Sequence, residues 1–253
     1  MKKSVYYFGT KEIGAACLQF LIDAFSNEEL EIKAVFTNNR SLGGSNKSVQ
    51  DIARENSIPV FQDLKSLENL ETADFIISVQ YHQILKENHI AKAEELAINL
   101  HMAPLPEYRG CNQFSFAIVD GAKVFGTTIH KLIRGTDAGP IIVEDRFEIP
   151  NEIFVKDLYE ITYKKSIELF KSSISDIFNG NYDLVPQEKL ENSRGCSLHF
   201  RKEIETLKVI DDNWPSEKKR RYFRATYFPP FDQPKLLKNG EIIQLTPENY
   251  NQL

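Results

Sequence analysis

Short apolar runs alternate with helix-period stretches through the first half of the chain. Val5 to Phe8 is apolar and stops at Gly9. Ile13, Leu18, Leu21, Ile22 and Phe25 then recur at three to five residues, the spacing of one helix face. Ile32 to Phe36 is a second apolar run; Val49, Ile52 and Ala53 mark a short helix; Pro59-Val60-Phe61 and Phe75 to Val79 predict further strands. Residues 84–95 are helical in composition, and Leu96 to Leu100 predicts another strand. This alternation predicts an α/β fold, a Rossmann-like, mostly parallel sheet with helices on both faces. Ligands in such sheets bind beyond the carboxyl ends of the strands.

After residue 120 the pattern changes. Val124 to Ile133 and Ile141 to Ile149 read as strands on either side of the loop Arg134 to Pro140. A long amphipathic helix begins near Val155, and Asn179-Gly180 supplies its C-cap. Asn38 to Asn46 is polar and glycine-rich, the composition of a loop. The βα alternation ends near residue 182. The division expected is 1–182 for a catalytic domain and 183–253 for a small β-rich C-terminal domain with a hairpin at Asn239-Gly240.

With 253 residues, 42% of them hydrophobic, the chain can bury a sizeable core without disulfides or metals. A net charge of −5 provides no global field for nucleic-acid phosphates, and the run Lys218 to Arg221 fits a solvated face. Three widely separated cysteines, Cys17, Cys111 and Cys196, form no disulfide or zinc pattern and fit a reducing cytosol. No run approaches the ~20 apolar residues of a membrane helix, and the N-terminal apolar run is too short for a signal peptide. A cytoplasmic protein with neither nucleic-acid nor membrane partner is expected. Gly9 to Gly14 has the glycine spacing of a phosphate loop, but Ala15-Ala16 replaces the Lys-Ser/Thr such a loop needs. The five histidines show no zinc-ligand spacing, so no metal is expected.

The segment Ala97 to Pro106 carries the candidate chemistry. Asn99 and His101 are two residues apart in a strand and share one face, and two prolines then end the strand. Asp137 stands between Gly135 and Gly139 in a loop. An amide can donate to a developing oxyanion, an imidazole can take a proton near neutral pH, and a carboxylate can orient that imidazole. On spacing alone the same residues equally fit a turn-and-cap arrangement.

Phe8-Gly9, Ser78 to Leu85, Asn99-Leu100-His101 through Gly110, Gly126 to His130 and Asp137 to Ile141, taken in order, resemble the N10-formyltetrahydrofolate-dependent formyltransferases. The resemblance spans about residues 4–180. It implies catalytic roles for Asn99, His101 and Asp137, and N10-formyltetrahydrofolate as cosubstrate, held by Gln80, Tyr81, His82, Ile84, Leu85, Gly135 and Gly139. Leu198 to Ile204 and Arg220 to Phe231 are similar to the tails of nucleotide-sugar N-formyltransferases in that family. This implies a nucleotide-linked amino sugar as acceptor, dTDP-4-amino-4,6-dideoxyglucose by preference, in lipopolysaccharide sugar synthesis. It also implies a homodimer, and acceptor-binding roles for Arg201, Lys202, Tyr222, Arg224 and Phe228. The aromatics among these equally fit a small-domain core or a dimer contact. The alternatives within the family are methionyl-tRNA, a 3-amino sugar or a UDP-linked sugar as acceptor.

Overall fold

The computed structural model describes residues 2–38 and 47–250. The predicted loop from Asn38 to Asn46 therefore lies outside the described residues, apart from Asn38.

Through residue 148 the strands are β1 (Lys3–Gly9), β2 (Leu30–Phe36), β3 (Val60–Phe61), β4 (Ala73–Val79), β5 (Ala93–His101), β6 (Arg109–Gly110), β7 (Val124–Lys131) and β8 (Ile141–Glu148). The helices between them are α1 (Lys11–Ala24), α2 (Val49–Glu55), α3 (Lys65–Glu68), α4 (Glu87–Ile90) and α5 (Gln113–Val119). The rest comprises α6 (Val155–Phe178), α7 (Glu188–Arg194), β9 (Leu198–His199), α8 (Glu203–Leu207), β10 (Val209–Asp211), α9 (Ser216–Thr226), β11 (Lys235–Lys238) and β12 (Glu241–Gln244).

The main sheet has seven strands in the order β3-β2-β1-β4-β5-β7-β8. Pairing is parallel from β3 to β5 and antiparallel from β5 through β7 to β8. The mostly parallel α/β sheet expected from the sequence is thus present. It is buried on both faces, which is why its central strands read as unbroken apolar runs rather than alternating ones. Val5 and Tyr7 of β1 face the larger core under α1 and α6, with Leu18, Phe170 and Ile174. Tyr6 and Phe8 face the opposite cluster, with Phe36, Leu67 and Leu85. Phe8 and Phe36 stack there at 4.4 Å between ring centres.

Three predicted boundaries move. Residues 84–95 hold only the single helical turn α4, because β5 already begins at Ala93, paired with Ala73. Its first residues carry charge on the surface, and Glu95 pairs with Lys3 at 2.7 Å. The composition of residues 111–119, capped by Gly121, predicts a helix there, but α5 starts at Gln113, because the Cys111 amide donates to the His199 carbonyl and prolongs the β6–β9 pairing. The C-terminal region contains α7, α8 and α9 as well as the three-stranded sheet β10-β11-β12. Its β11–β12 hairpin turns at Asn239-Gly240, both with positive φ, as a two-residue turn of this kind requires.

The chain beyond residue 182 is stitched to the main sheet. Val185 bridges Ile141, β9 pairs with β6, and α9 packs on α5. β5 ends at the boundary between the parallel and antiparallel halves, and this puts His101 at the carboxyl edge of the sheet with loops on either side.

Phe170 sits in the larger core at 1% exposure, edge-on to Phe20. Phe170→Ala is expected to cost about 3–5 kcal/mol. Urea unfolding of the two proteins checks this, and a loss below about 1 kcal/mol would contradict the packing described.

Candidate active site

Asn99 and His101 project from the same face of β5, and β7 aligns His130 with Asn99 and Thr128 with His101. His101 is 4% exposed, and its Nε2 lies 2.8 Å from the Tyr108 carbonyl oxygen. A carbonyl only accepts, so Nε2 carries the hydrogen. In the neutral ring the lone pair is then on Nδ1, and Nδ1 faces Asp137 Oδ2 at 3.6 Å. A proton arriving at Nδ1 creates an imidazolium directly beside a carboxylate.

Asp137 occupies the left-handed region at φ 48°, which aspartate tolerates better than most residues. Its Oδ2 accepts from the Gly110 amide at 2.9 Å, and its Oδ1 lies 3.5 Å from both Asn99 Nδ2 and His130 Nε2. Burial pushes its carboxyl up, but the positive charge of His101 and His130 in their protonated forms, with the Gly110 N–H, outweighs burial, so the group then stays well below the usual carboxylate range.

The loop that carries Asp137 tolerates no bulk at Gly139. A Cβ there would meet the Lys131 carbonyl oxygen. Gln187 clamps the same loop, with Nε2 donating to the carbonyl oxygens of Asp137 at 2.8 Å and Gly139 at 2.6 Å. Its Oε1 accepts from Arg109 Nε at 2.8 Å. Sequence reasoning missed Gln187 because nothing near Pro186 marks it as a partner of a loop some fifty residues earlier.

His130 is the second residue it missed as a participant, although the GTTIH segment was noticed. The ring is 1% exposed. Nδ1 lies 3.0 Å from the Lys131 carbonyl oxygen and so carries a hydrogen, which leaves Nε2 of the neutral ring free to accept from Asn99 Nδ2 at 3.2 Å. That contact, together with Asp137 Oδ1, assigns the Asn99 amide with its nitrogen inward. One N–H is held by His130. The other faces Asp137 at a long 3.5 Å and is available to a new acceptor.

Gln80, Tyr81, His82, Ile84 and Leu85 follow β4, whose Ser78 is paired with Asn99, so this loop and the Gly135–Gly139 loop border the same strand end. Gln80 holds Lys11 Nζ at 2.9 Å, and its carbonyl accepts from the Thr10 hydroxyl. Tyr81 packs edge-on to Phe8, and its buried hydroxyl has no hydrogen-bond partner among the described residues. Burial, with Asp63 adding to it, pushes that phenol up to about 12. His82 packs against the Tyr81 ring, Leu85 is buried beneath the loop, and Ile84 is 75% exposed.

Arg201 and Lys202 are exposed just past β9, where Asn112 Nδ2 donates to the carbonyl oxygens of Phe200 and Arg201. The β6–β9 pairing brings this turn next to Gly110 and so to Asp137. Tyr222, Arg224 and Phe228 are not brought to the trio. Tyr222 packs on Trp214, Arg224 Nη1 donates to the Tyr250 hydroxyl, and Phe228 lies against Tyr159 and Phe231. Among the described residues no group of His, Cys, Asp and Glu could hold a metal ion, and no helix is long and apolar enough to cross a membrane.

A family model described as formyl transferase matches residues 5–174. A methionyl-tRNA formyltransferase of Clostridium perfringens is 29% identical over 214 residues, which cover 79% of this chain and 67% of that protein. Among solved structures, an N-formyltransferase from Helicobacter canadensis, in complex with folinic acid and dTDP-3-aminofucose, is 25% identical. It superposes with a TM-score of 0.76 over 95% of this chain and 85% of its own. WlaRD, a sugar 3N-formyl transferase solved in the presence of dTDP and 5-N-formyl-THF, is 26% identical with a TM-score of 0.77, covering 96% and 85% of the two chains.

A carboxyl depressed in the folded state stabilises the fold above its unfolded pKa, near 3.9, and that contribution is lost as pH falls through the folded value. Asp137→Asn is therefore expected to flatten the decline of melting temperature from about pH 5 downward. Parallel slopes for the two proteins in that range would contradict the charged, buried state of Asp137.

Proposed function

The chain belongs to the formyl transferase family, and on that premise we propose that it moves the formyl group of N10-formyltetrahydrofolate to the amine of a nucleotide-linked amino-deoxy sugar. The observation that carries this reading is the convergence of Asn99 Nδ2, His101 Nδ1 and the Asp137 carboxylate at the carboxyl end of β5.

The folate donor supplies an activated one-carbon group. The loop Gln80–Leu85 fits such a donor, because it combines an apolar surface at Ile84 with a buried, unpartnered Tyr81 hydroxyl. Attack by an amine on a formyl carbon places negative charge on the formyl oxygen and a proton to be removed on the nitrogen. The loosely held N–H of Asn99 turns from Asp137 to that oxygen. His101 takes the amine proton at Nδ1, since its Nε2–H is occupied by Tyr108, and Asp137 stabilises the resulting cation; the adduct then collapses with cleavage of the formyl C–N10 bond, and His101 returns the proton to N10 of the departing tetrahydrofolate. His130 and Gln187 touch neither reactant in this reading. They position Asn99 and the Asp137 loop.

Two features support a sugar acceptor. The sugar N-formyltransferase structures match 95–96% of the chain, tail included, whereas the match to the Clostridium perfringens relative covers 79% of it. The net charge of −5 is also poor for gathering tRNA phosphates. The Helicobacter canadensis and WlaRD structures contain dTDP or a dTDP-sugar, which supports a dTDP carrier. In this reading the exposed Arg201 and Lys202, on the turn after the β9 strand that pairs with Gly110, meet its diphosphate. A folate-dependent reaction on such a sugar fits the cytoplasm.

The test is a mass-spectrometric screen of the purified protein with N10-formyltetrahydrofolate. The acceptors are dTDP-linked 4-amino and 3-amino sugars, their UDP counterparts and methionyl-tRNA. A one-formyl mass gain on a dTDP-amino sugar is expected, with turnover falling by about 10²–10³ in Asn99→Ala. Formylation of tRNA alone, or near-normal turnover in correctly folded Asn99→Ala, would overturn the reading.

A further inference from the structure

A second polar cavity lies where α9 meets the end of α5 and the outer ends of β7 and β8. Its volume is about 420 Å³, within the range of small-ligand sites. Four cationic side chains line it, Lys123, Arg220, Arg221 and Arg224, against two carboxylates, Glu152 and Glu217. Both carboxylates are exposed, and among the described residues no carboxylate lies within ion-pair distance of any of the four cations. Ile118 and Ile149 supply an apolar wall.

The interior of this cavity is unbalanced. Among the described residues, Arg224 is 9% exposed, its Nε is buried with no partner, and its Nη1 reaches only the neutral Tyr250 hydroxyl. Arg221 Nε is likewise buried and unpartnered. Arg221 is packed so closely on the end of α5 that a Cβ at Gly121 would come within 3.1 Å of its Nη1. A guanidinium stays charged at any pH a protein survives, and burying one without a counter-charge is costly. Residues 217, 220, 221 and 224 recur at helical spacing, so α9 turns one face of charge into the cavity.

From these observations we propose that the cavity is a binding site for a diphosphate-bearing small molecule. Four cations match the charge of a diphosphate better than that of a single phosphate, and arginine forks suit phosphate oxygens. The apolar wall leaves room for an organic group beyond it. The site is separate from the formyl-transfer centre. His101 pairs with Thr128 of β7, four residues from Val124, which adjoins Lys123, and this puts roughly 14 Å between the two places at about 3.4 Å per residue. In an amino-sugar nucleotide only one sugar ring lies between amine and diphosphate, so an acceptor at His101 would not place its diphosphate here.

Calorimetric titration of the full chain with inorganic pyrophosphate tests the proposal. One pyrophosphate per chain is expected. Affinity should fall at least tenfold in Lys123→Gln/Arg220→Gln, whose two sites are exposed at the cavity mouth, and in Arg221→Gln, which probes its interior. It should stay within twofold of wild type in Asn99→Ala, which also separates this result from any failure of the catalytic reading. A second titration with dTDP in the presence of saturating pyrophosphate identifies the source of the group. Competition for the arginine-dependent site supports a nucleoside diphosphate, and its absence supports free diphosphate. No pyrophosphate binding, equal affinity in the mouth variant with an unchanged melting temperature, or binding lost in Asn99→Ala would overturn the proposal.

Discussion

A single buried carboxylate organises the candidate active site of this molecule. Asp137 is held in its charged form by the Gly110 amide and, when either ring is protonated, by the imidazolium of His101 or His130, against the cost of burial. Each contact arrives from a different segment. β5 brings His101 and Asn99, the β6 turn brings Gly110, β7 brings His130, and Gln187 fixes the backbone from the C-terminal side. If that charge were lost, the loop would lose its reason to fold back onto the strand end. The backbone tolerances around it are correspondingly tight, with Asp137 in the left-handed region and Gly139 pressed onto the Lys131 carbonyl.

The surrounding hydrogen bonds give this carboxylate a direction of action. Two backbone carbonyls, those of Tyr108 and Lys131, each capture a hydrogen from one nitrogen of a histidine. They thereby set the two rings to opposite purposes. His101 turns its basic nitrogen to the carboxylate, and His130 turns its own to the Asn99 amide. The carbonyls have no chemistry of their own in formyl transfer. In the proposed reaction their contribution is to fix both tautomers beforehand, so that only the loosely held Asn99 N–H turns when charge develops.

Much of this was legible in the sequence because it rests on local periodicity. The apolar runs of β1, β4 and β5 and the two-residue offset of Asn99 and His101 follow from strand geometry, and Asn239-Gly240 from turn chemistry. What escaped is what depends on contacts distant in sequence. α5 starts late because Cys111 is claimed by His199 in the tail, and the helix expected over 84–95 gives way to a strand that pairs with Ala73. Gln187 belongs to the site only because Val185 bridges Ile141. His130 stood in a motif already noticed, but its role needs the antiparallel register of β7 on β5, which no residue spacing states. Tyr222, Arg224 and Phe228, expected at the acceptor from resemblance or in a small-domain core or dimer contact, lie away from the trio, and the arginines of α9 line a cavity at the far end of β7.

The account depends most on which nitrogen of His101 is the base. Two-bond proton–nitrogen correlation spectra of the protein labelled with ¹⁵N-histidine, followed upward in pH until His101 is neutral, read this directly. The expected result is a neutral ring with its hydrogen on Nε2, held by Tyr108, and an unprotonated Nδ1 beside Asp137. A neutral ring with its hydrogen on Nδ1 would contradict the account, because the nitrogen facing the carboxylate would then have no lone pair with which to take the amine's proton.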